Sequence, residues 1–192
     1  MEKEFWDKRW KKKTTGWDMG QVSPPIQAYI DQLIDKSIRV LIPGCGNAYE
    51  AQYLMEQGFK NTFIVEISQG AIDSFKARYP EFPEDQIFHQ DFFELETTHP
   101  FDLILEQTFF CAIQPEKRNE YAVKMKALLK PKGKLVGLMF DFPLESGPPF
   151  GGSVKEYETY FLPQFTTVKM DRAHNSIEPR QGRELFVMIC SD

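Results

Sequence analysis

Two closely spaced glycines, Gly44 and Gly46, are followed roughly 20 residues later by the acid Glu66, and further on by Asp91-Phe92-Phe93. These are residue types that can hold a nucleoside. A glycine turn admits a left-handed backbone and lets a ligand approach closely, and an acid at that distance can accept from ribose hydroxyls. Asp91 can accept from an exocyclic amine while apolar neighbours cover the base. A dinucleotide fingerprint asks for a third glycine where Tyr49 stands. Its absence favours a nucleoside without phosphates, such as S-adenosylmethionine, over NAD. Plainer readings of the same residues are a turn that only links a strand to a helix, and an Asp91 that only caps a turn.

Trp6, Trp10 and Trp17 give the N-terminal segment an aromatic density unusual for a disordered tail. Trp6 and Trp10 share a face if the segment is helical. That face either docks on the core or covers a ligand, and a sulfonium cation is attracted to tryptophan rings. Other chemistries find less support. Cys45, Cys111 and Cys190 are odd in number and widely spaced, and His89, His99 and His174 have no metal-ligand spacing, so reduced thiols and no metal are expected. No histidine is placed to activate Cys45 or Cys111 as a nucleophile. A net charge of −5 argues against a nucleic-acid partner, and the Lys11–Lys13 run is too short to reverse that. The chain shows no membrane-length apolar run and its start is charged, so a cytoplasmic protein with no membrane partner is expected.

Elements that would position these residues follow from hydrophobic period. Val40-Leu41-Ile42 is a short, β-branched-rich run suited to a central parallel strand, and Pro43 marks its end. Ala48–Gln57 reads as a helix, Asn61–Glu66 as a second strand, the stretch after Ser68 as a helix capped by that serine and reaching about Arg78, and Gln86–Gln90 as a weak third strand. Phe101–Gln107 is a fourth strand, bringing Glu106 and Gln107 to its carboxyl end and so toward the crevice where open α/β sheets bind ligands. Pro115–Leu129 is a helix and Leu135–Phe140 a fifth strand after a Pro-Lys-Gly turn. Upstream, Ser23-Pro24-Pro25, with Ser23 as N-cap, starts an amphipathic helix carrying Ile26, Tyr29, Ile30, Leu33 and Ile34. The Pro- and Gly-rich segment 143–152 either borders a substrate pocket or is a simple connection. After a short helix over Ser153–Phe161, Phe165–Asp171 and Glu184–Cys190 have no crossover helix between them and must pair antiparallel. The expected fold is α/β: a Rossmann-like, doubly wound seven-stranded sheet of five parallel strands closed by an antiparallel C-terminal hairpin, with helices on both faces. One domain over residues 1–192 is expected, with residues 1–22 as a cofactor-covering segment.

Taken together, Trp6-x3-Trp10-x6-Trp17-Asp18, Pro43-Gly-Cys-Gly46, Asp91-Phe-Phe93, Thr108-Phe-Phe-Cys-Ala-Ile113, Leu129-Lys-Pro-Lys-Gly133 and Gly147-Pro-Pro-Phe150 resemble the thiopurine S-methyltransferase family and its thiol and halide methyltransferase relatives, within the class I S-adenosylmethionine-dependent methyltransferases. The resemblance runs from Trp6 to about Glu184. It implies S-adenosyl-L-methionine as cofactor, S-adenosyl-L-homocysteine as product, and a small-molecule methyl acceptor as partner. By the same resemblance the three tryptophans would cover the cofactor and Gly44 would lie against its methionine portion. Glu66 would hold the ribose and Asp91 with Phe92 the adenine. Gln107 stands where plant-type relatives have a tyrosine beside the cofactor. Arg183 matches an arginine near the family's substrate end, where it would stabilise an anionic nucleophile; an ordinary ion pair is the other reading. A thiol acceptor needs no strong general base. Rival readings are an NAD(P)-dependent reductase of the same sheet class and a non-catalytic nucleoside-binding module. A monomer is expected.

Overall fold

The computed structural model describes residues 3–192. Its strands are β1 (Val40–Pro43), β2 (Thr62–Glu66), β3 (Ile87–His89), β4 (Phe101–Gln107), β5 (Leu129–Phe140), β6 (Thr167–Arg172) and β7 (Glu184–Cys190). They form one sheet in the order β3-β2-β1-β4-β5-β7-β6. β1 to β5 pair in parallel, while β7 runs antiparallel to both β5 and β6. The C-terminal pair is thus the expected hairpin, with its second strand inserted next to β5. Strand order reverses between β1 and β4, and the carboxyl ends of these two strands open the crevice.

Alternation along each strand builds a core on both faces. Leu41, Ile104, Leu135 and Val187 face α5 (Arg118–Leu128) and α6 (Val154–Phe161), where Tyr121, Met125, Tyr157 and Phe161 complete one cluster. Val40, Ile42, Leu103 and Val136 face the other way, against Ile26 and Ile30 of α2 (Pro24–Ile30), Leu54 of α3 (Tyr49–Glu56) and Phe75 of α4 (Gln69–Arg78). Burial on both sides explains why β1 is apolar at every position.

Several local expectations shift. α2 stops at Ile30, before Leu33 and Ile34, and Ile34 is 93% exposed. Ser23 and Ser68 do not cap with their side chains, whereas Ser153 does, accepting from the Glu156 N–H. β5 begins at Leu129, six residues early, because the Pro-Lys-Gly segment stays in the sheet as an irregularity with Lys132 at φ +62°. Helix α1 (Lys3–Lys11) buries no residue fully and lies against α4.

Gly137 sits mid-strand between Glu106 and Val187. A Cβ there would come within 2.2 Å of the Glu106 carbonyl oxygen. Gly137→Ala is therefore expected to destabilise the fold by at least about 2 kcal/mol, read from urea unfolding with an unchanged slope.

Candidate active site

The turn after β1 is held left-handed at both glycines, with φ +54° at Gly44 and +53° at Gly46. The Gly44 N–H donates to the Val65 carbonyl at 2.8 Å, tying the turn to β2. Beside it the Glu66 carboxylate accepts from Gly46 N–H and from Ser68 N–H, both at 2.9 Å. Glu66 is only 7% exposed, and burial raises its pKa against the pull of these backbone donors. The ring of Phe109 lies directly on Gly44: a Cβ would meet its Cδ2 at 2.1 Å. Any side chain here would displace that ring.

The N-terminal segment docks over this turn. Trp17 packs edge-on against Trp6 and Trp10, with centroids 5.5 and 6.2 Å apart, and all three rings are half-buried. Trp10 approaches both Gly46 and Gly70, where a Cβ would stand 3.5 and 2.9 Å from its atoms. Polar ties also hold the segment. Ser68 Oγ donates to Asp7 at 2.6 Å, Asn47 Nδ2 donates to Asp18 at 2.6 Å, and Arg180 donates to the Trp17 carbonyl at 2.8 Å. The aromatic face thus packs on the domain and also walls a cavity.

On the β4 side, alternation separates two residues expected to face the crevice together. Gln107 does line it, with its Oε1 buried and, among the described residues, without a hydrogen-bond partner. Glu106 turns the opposite way into the core, where it accepts from Phe110 N–H at 2.9 Å and from the Tyr121 hydroxyl. Its pKa is pushed up to about 7, burial outweighing those donors. Asp91 Oδ1 caps the following turn by accepting from Phe93 N–H at 2.9 Å. Among the described residues no protein donor reaches its other oxygen. Phe92 is 3% exposed and packs between Phe109 and Tyr121.

Arg183 is exposed, lies 4.5 Å over the Phe142 ring, and has no carboxylate within 4 Å among the described residues. The ion pair belongs instead to Arg180, which meets Glu184 at 3.2 Å. Sequence reading passed over Arg180, since its partners are a strand acid and a carbonyl 163 residues away. Cys45 and Cys111 stay protonated. Burial and the Glu66 charge push Cys45 well up, and burial takes Cys111 to about 12.

Every residue singled out for a ligand borders one cavity of about 1050 Å³: Trp6, Trp10, Trp17, Gly44, Glu66, Asp91, Phe92, Gln107 and Arg183. That volume is at the upper end for small-molecule sites, with room for a nucleoside and a second small reactant. Among the described residues no group of three His, Cys, Asp or Glu side chains is arranged to hold a metal, and no helix is long and apolar enough to cross a membrane.

The model of the family described as thiopurine S-methyltransferase matches residues 1–189. The chain belongs to that family. It is an S-adenosylmethionine-dependent methyltransferase, and the reductase reading falls away. Its relatives include a probable thiol methyltransferase 2 from Arabidopsis thaliana, 34% identical, with 93% of this chain and 81% of that protein covered. Another is a thiocyanate methyltransferase 1 from Brassica oleracea, 32% identical over 96% of this chain and 83% of that one. Among solved structures, the 1,6-didemethyltoxoflavin-N1-methyltransferase of Burkholderia thailandensis, with S-adenosylhomocysteine bound, shares the fold at a TM-score of 0.75 and 18% identity, over 99% of this chain and 87% of that one.

Glu106 gives a pH prediction. Between its ordinary value of 4.5 and about 7, the folded protein keeps a proton that the unfolded chain has released, so this residue lowers stability as pH rises through that window. Glu106→Gln cannot ionise. From pH 4.5 to pH 8 the stability of the variant relative to wild type is expected to improve by on the order of 3 kcal/mol, measured by chemical denaturation at each pH.

Proposed function

We propose that this methyltransferase alkylates the sulfur of a small anionic acceptor such as a thiolate. In this reading S-adenosylmethionine is held by Trp6, Trp10, Trp17, Gly44, Glu66, Asp91, Phe92 and Gln107, and the acceptor lies beside Arg183. The observation that carries the reading is a single cavity lined along the sheet order, from the ends of β1, β2 and β3 to those of β5 and β7, which we read as two chemically different ends. One end has the glycine turn, two carboxylates and an unpaired buried amide oxygen at Gln107. The other has Phe140, Phe142, Pro148, Pro149 and the guanidinium of Arg183, which no carboxylate pairs among the described residues.

The residues of the first end fit the cofactor. Glu66 is aimed by two backbone donors, yet a carboxylate has about four lone-pair sites and so keeps capacity for ribose hydroxyls. Asp91 retains one oxygen for an amine, and Gln107 Oε1 would gain a donor. The tryptophans supply faces for a cation. S-adenosylmethionine brings an electrophilic methyl group carried on a sulfonium. What the chain must do is orient the acceptor against that carbon and exclude water, which supplies much of the acceleration in such displacements. A thiol near its ordinary pKa of about 8.5 is partly ionised at neutral pH, so the role left to Arg183 is to hold the anion. Relatives named for thiols and thiocyanate support a sulfur acceptor.

The deciding experiment offers labelled S-adenosylmethionine with a panel of aryl and alkyl thiols, bisulfide, thiocyanate, halides and thiopurines. Transfer to at least one sulfur nucleophile is expected; transfer to none of them rejects the proposal. Two substitutions separate the ends of the cavity. Glu66→Ala should weaken S-adenosylhomocysteine by about 1.5–3 kcal/mol in calorimetric titration, the value of hydrogen bonds to a charged group. Arg183→Met should raise the acceptor KM roughly tenfold, about 1.4 kcal/mol, while leaving S-adenosylhomocysteine affinity unchanged.

A further inference from the structure

Arg118 is the largest fully buried side chain in the molecule, and the cofactor site does not use it. It opens α5, and its guanidinium reaches Glu156 at 2.7 Å, an acid that is itself one-quarter exposed. The remaining bonds go to the backbone: NH2 donates to the Gly151 carbonyl at 2.8 Å and to that of Phe150 at 3.3 Å. The group stands 4.8 Å over the Phe110 ring, and its Nε has no partner among the described residues. Burying a charge so incompletely paired is a poor way to stabilise a core, since apolar residues of similar volume commonly do as well or better. Its targets suggest what the charge is for.

Phe150 and Gly151 close the loop whose Pro148 and Pro149 line the acceptor end of the cavity. A segment of glycine and proline has few side chains with which to anchor itself. Its other fastenings are backbone bonds, Phe150 N–H to the Cys111 carbonyl and Gly152 N–H to the Phe142 carbonyl, both 2.8 Å. Gly151 packs so closely that a Cβ would lie 2.3 Å from the Phe142 oxygen. Arg118 holds this loop from beneath with one guanidinium nitrogen on two successive carbonyls while the other end of the planar fork meets Glu156, a combination lysine does not reproduce.

We infer that Arg118 is a positioning residue for the methyl acceptor: through the Phe150 and Gly151 carbonyls it sets the place of the Pro148-Pro149 wall. The inference rests on the proposed division of the cavity into a cofactor end and an acceptor end. The test uses the full chain with Arg118→Met and Arg118→Lys, the second serving if the first does not fold. Hydrogen exchange at the Phe150 and Gly152 amides is expected to accelerate at least tenfold in either variant, with the Gly44 and Gly46 amides unchanged. S-adenosylhomocysteine affinity should stay within twofold, while the KM of the best thiol in the panel rises at least tenfold and kcat falls less. Glu156→Gln, which leaves both carbonyl bonds in place, should keep KM within twofold. Unchanged loop exchange, or equal losses of cofactor affinity and acceptor KM, would overturn the inference. If loop exchange accelerates but wild type methylates no thiol, the positioning of the loop stands and the sulfur-acceptor reading is what fails.

Discussion

One buried carboxylate joins the parts on which the site depends. Glu66 accepts from the N–H of Gly46 in the turn after β1 and from that of Ser68 at the start of α4, and the Ser68 hydroxyl in turn engages Asp7 of α1. Three segments distant in sequence therefore converge on the end of β2. Burial alone would favour neutralising such an acid. The backbone donors around Glu66 oppose that tendency and aim the group, so the same bonds that fix the turn also orient the carboxylate at the cavity wall.

The sheet explains why the cavity lies where it does. Reversal of strand order between β1 and β4 parts the loops that follow them, and the glycine turn occupies one side while the Gln107–Ile113 segment occupies the other. On the face beneath β4, Glu106, Tyr121 and Phe110 form a buried polar joint that supports the turn carrying Phe109 onto Gly44. The Pro148-Pro149 loop is fastened separately, by Arg118 and the Cys111 carbonyl. Opposite parts of the cavity wall are thus held by different sets of bonds.

Much of this was legible in the chain because it is encoded locally. The β4 and β7 spans coincide with their apolar runs, and the glycine turn lies between strand and helix as its spacing implied. Other features escaped for identifiable reasons. The helical period continued through Leu33 and Ile34, but no surface is available for Ile34 to bury against. Glu106 and Gln107 are adjacent polar residues at a strand end, and only two-residue alternation assigns them to opposite faces. Arg118 and Arg180 act on carbonyls 32 or more residues away, and such pairings leave no mark in hydrophobic patterning. Asp91 combines readings that seemed exclusive, with one oxygen spent on a turn and one left over.

The state of the cavity's two thiols has a wider consequence. Cys45 and Cys111 both border the cavity proposed to hold the alkylating cofactor, and burial raises the pKa of both thiols. Because the thiolate is the nucleophile, a cofactor methyl placed in this cavity would meet two thiols in their unreactive form. Selectivity between the intended sulfur and the protein's own sulfurs would then rest on protonation, without any need to remove cysteine from the walls.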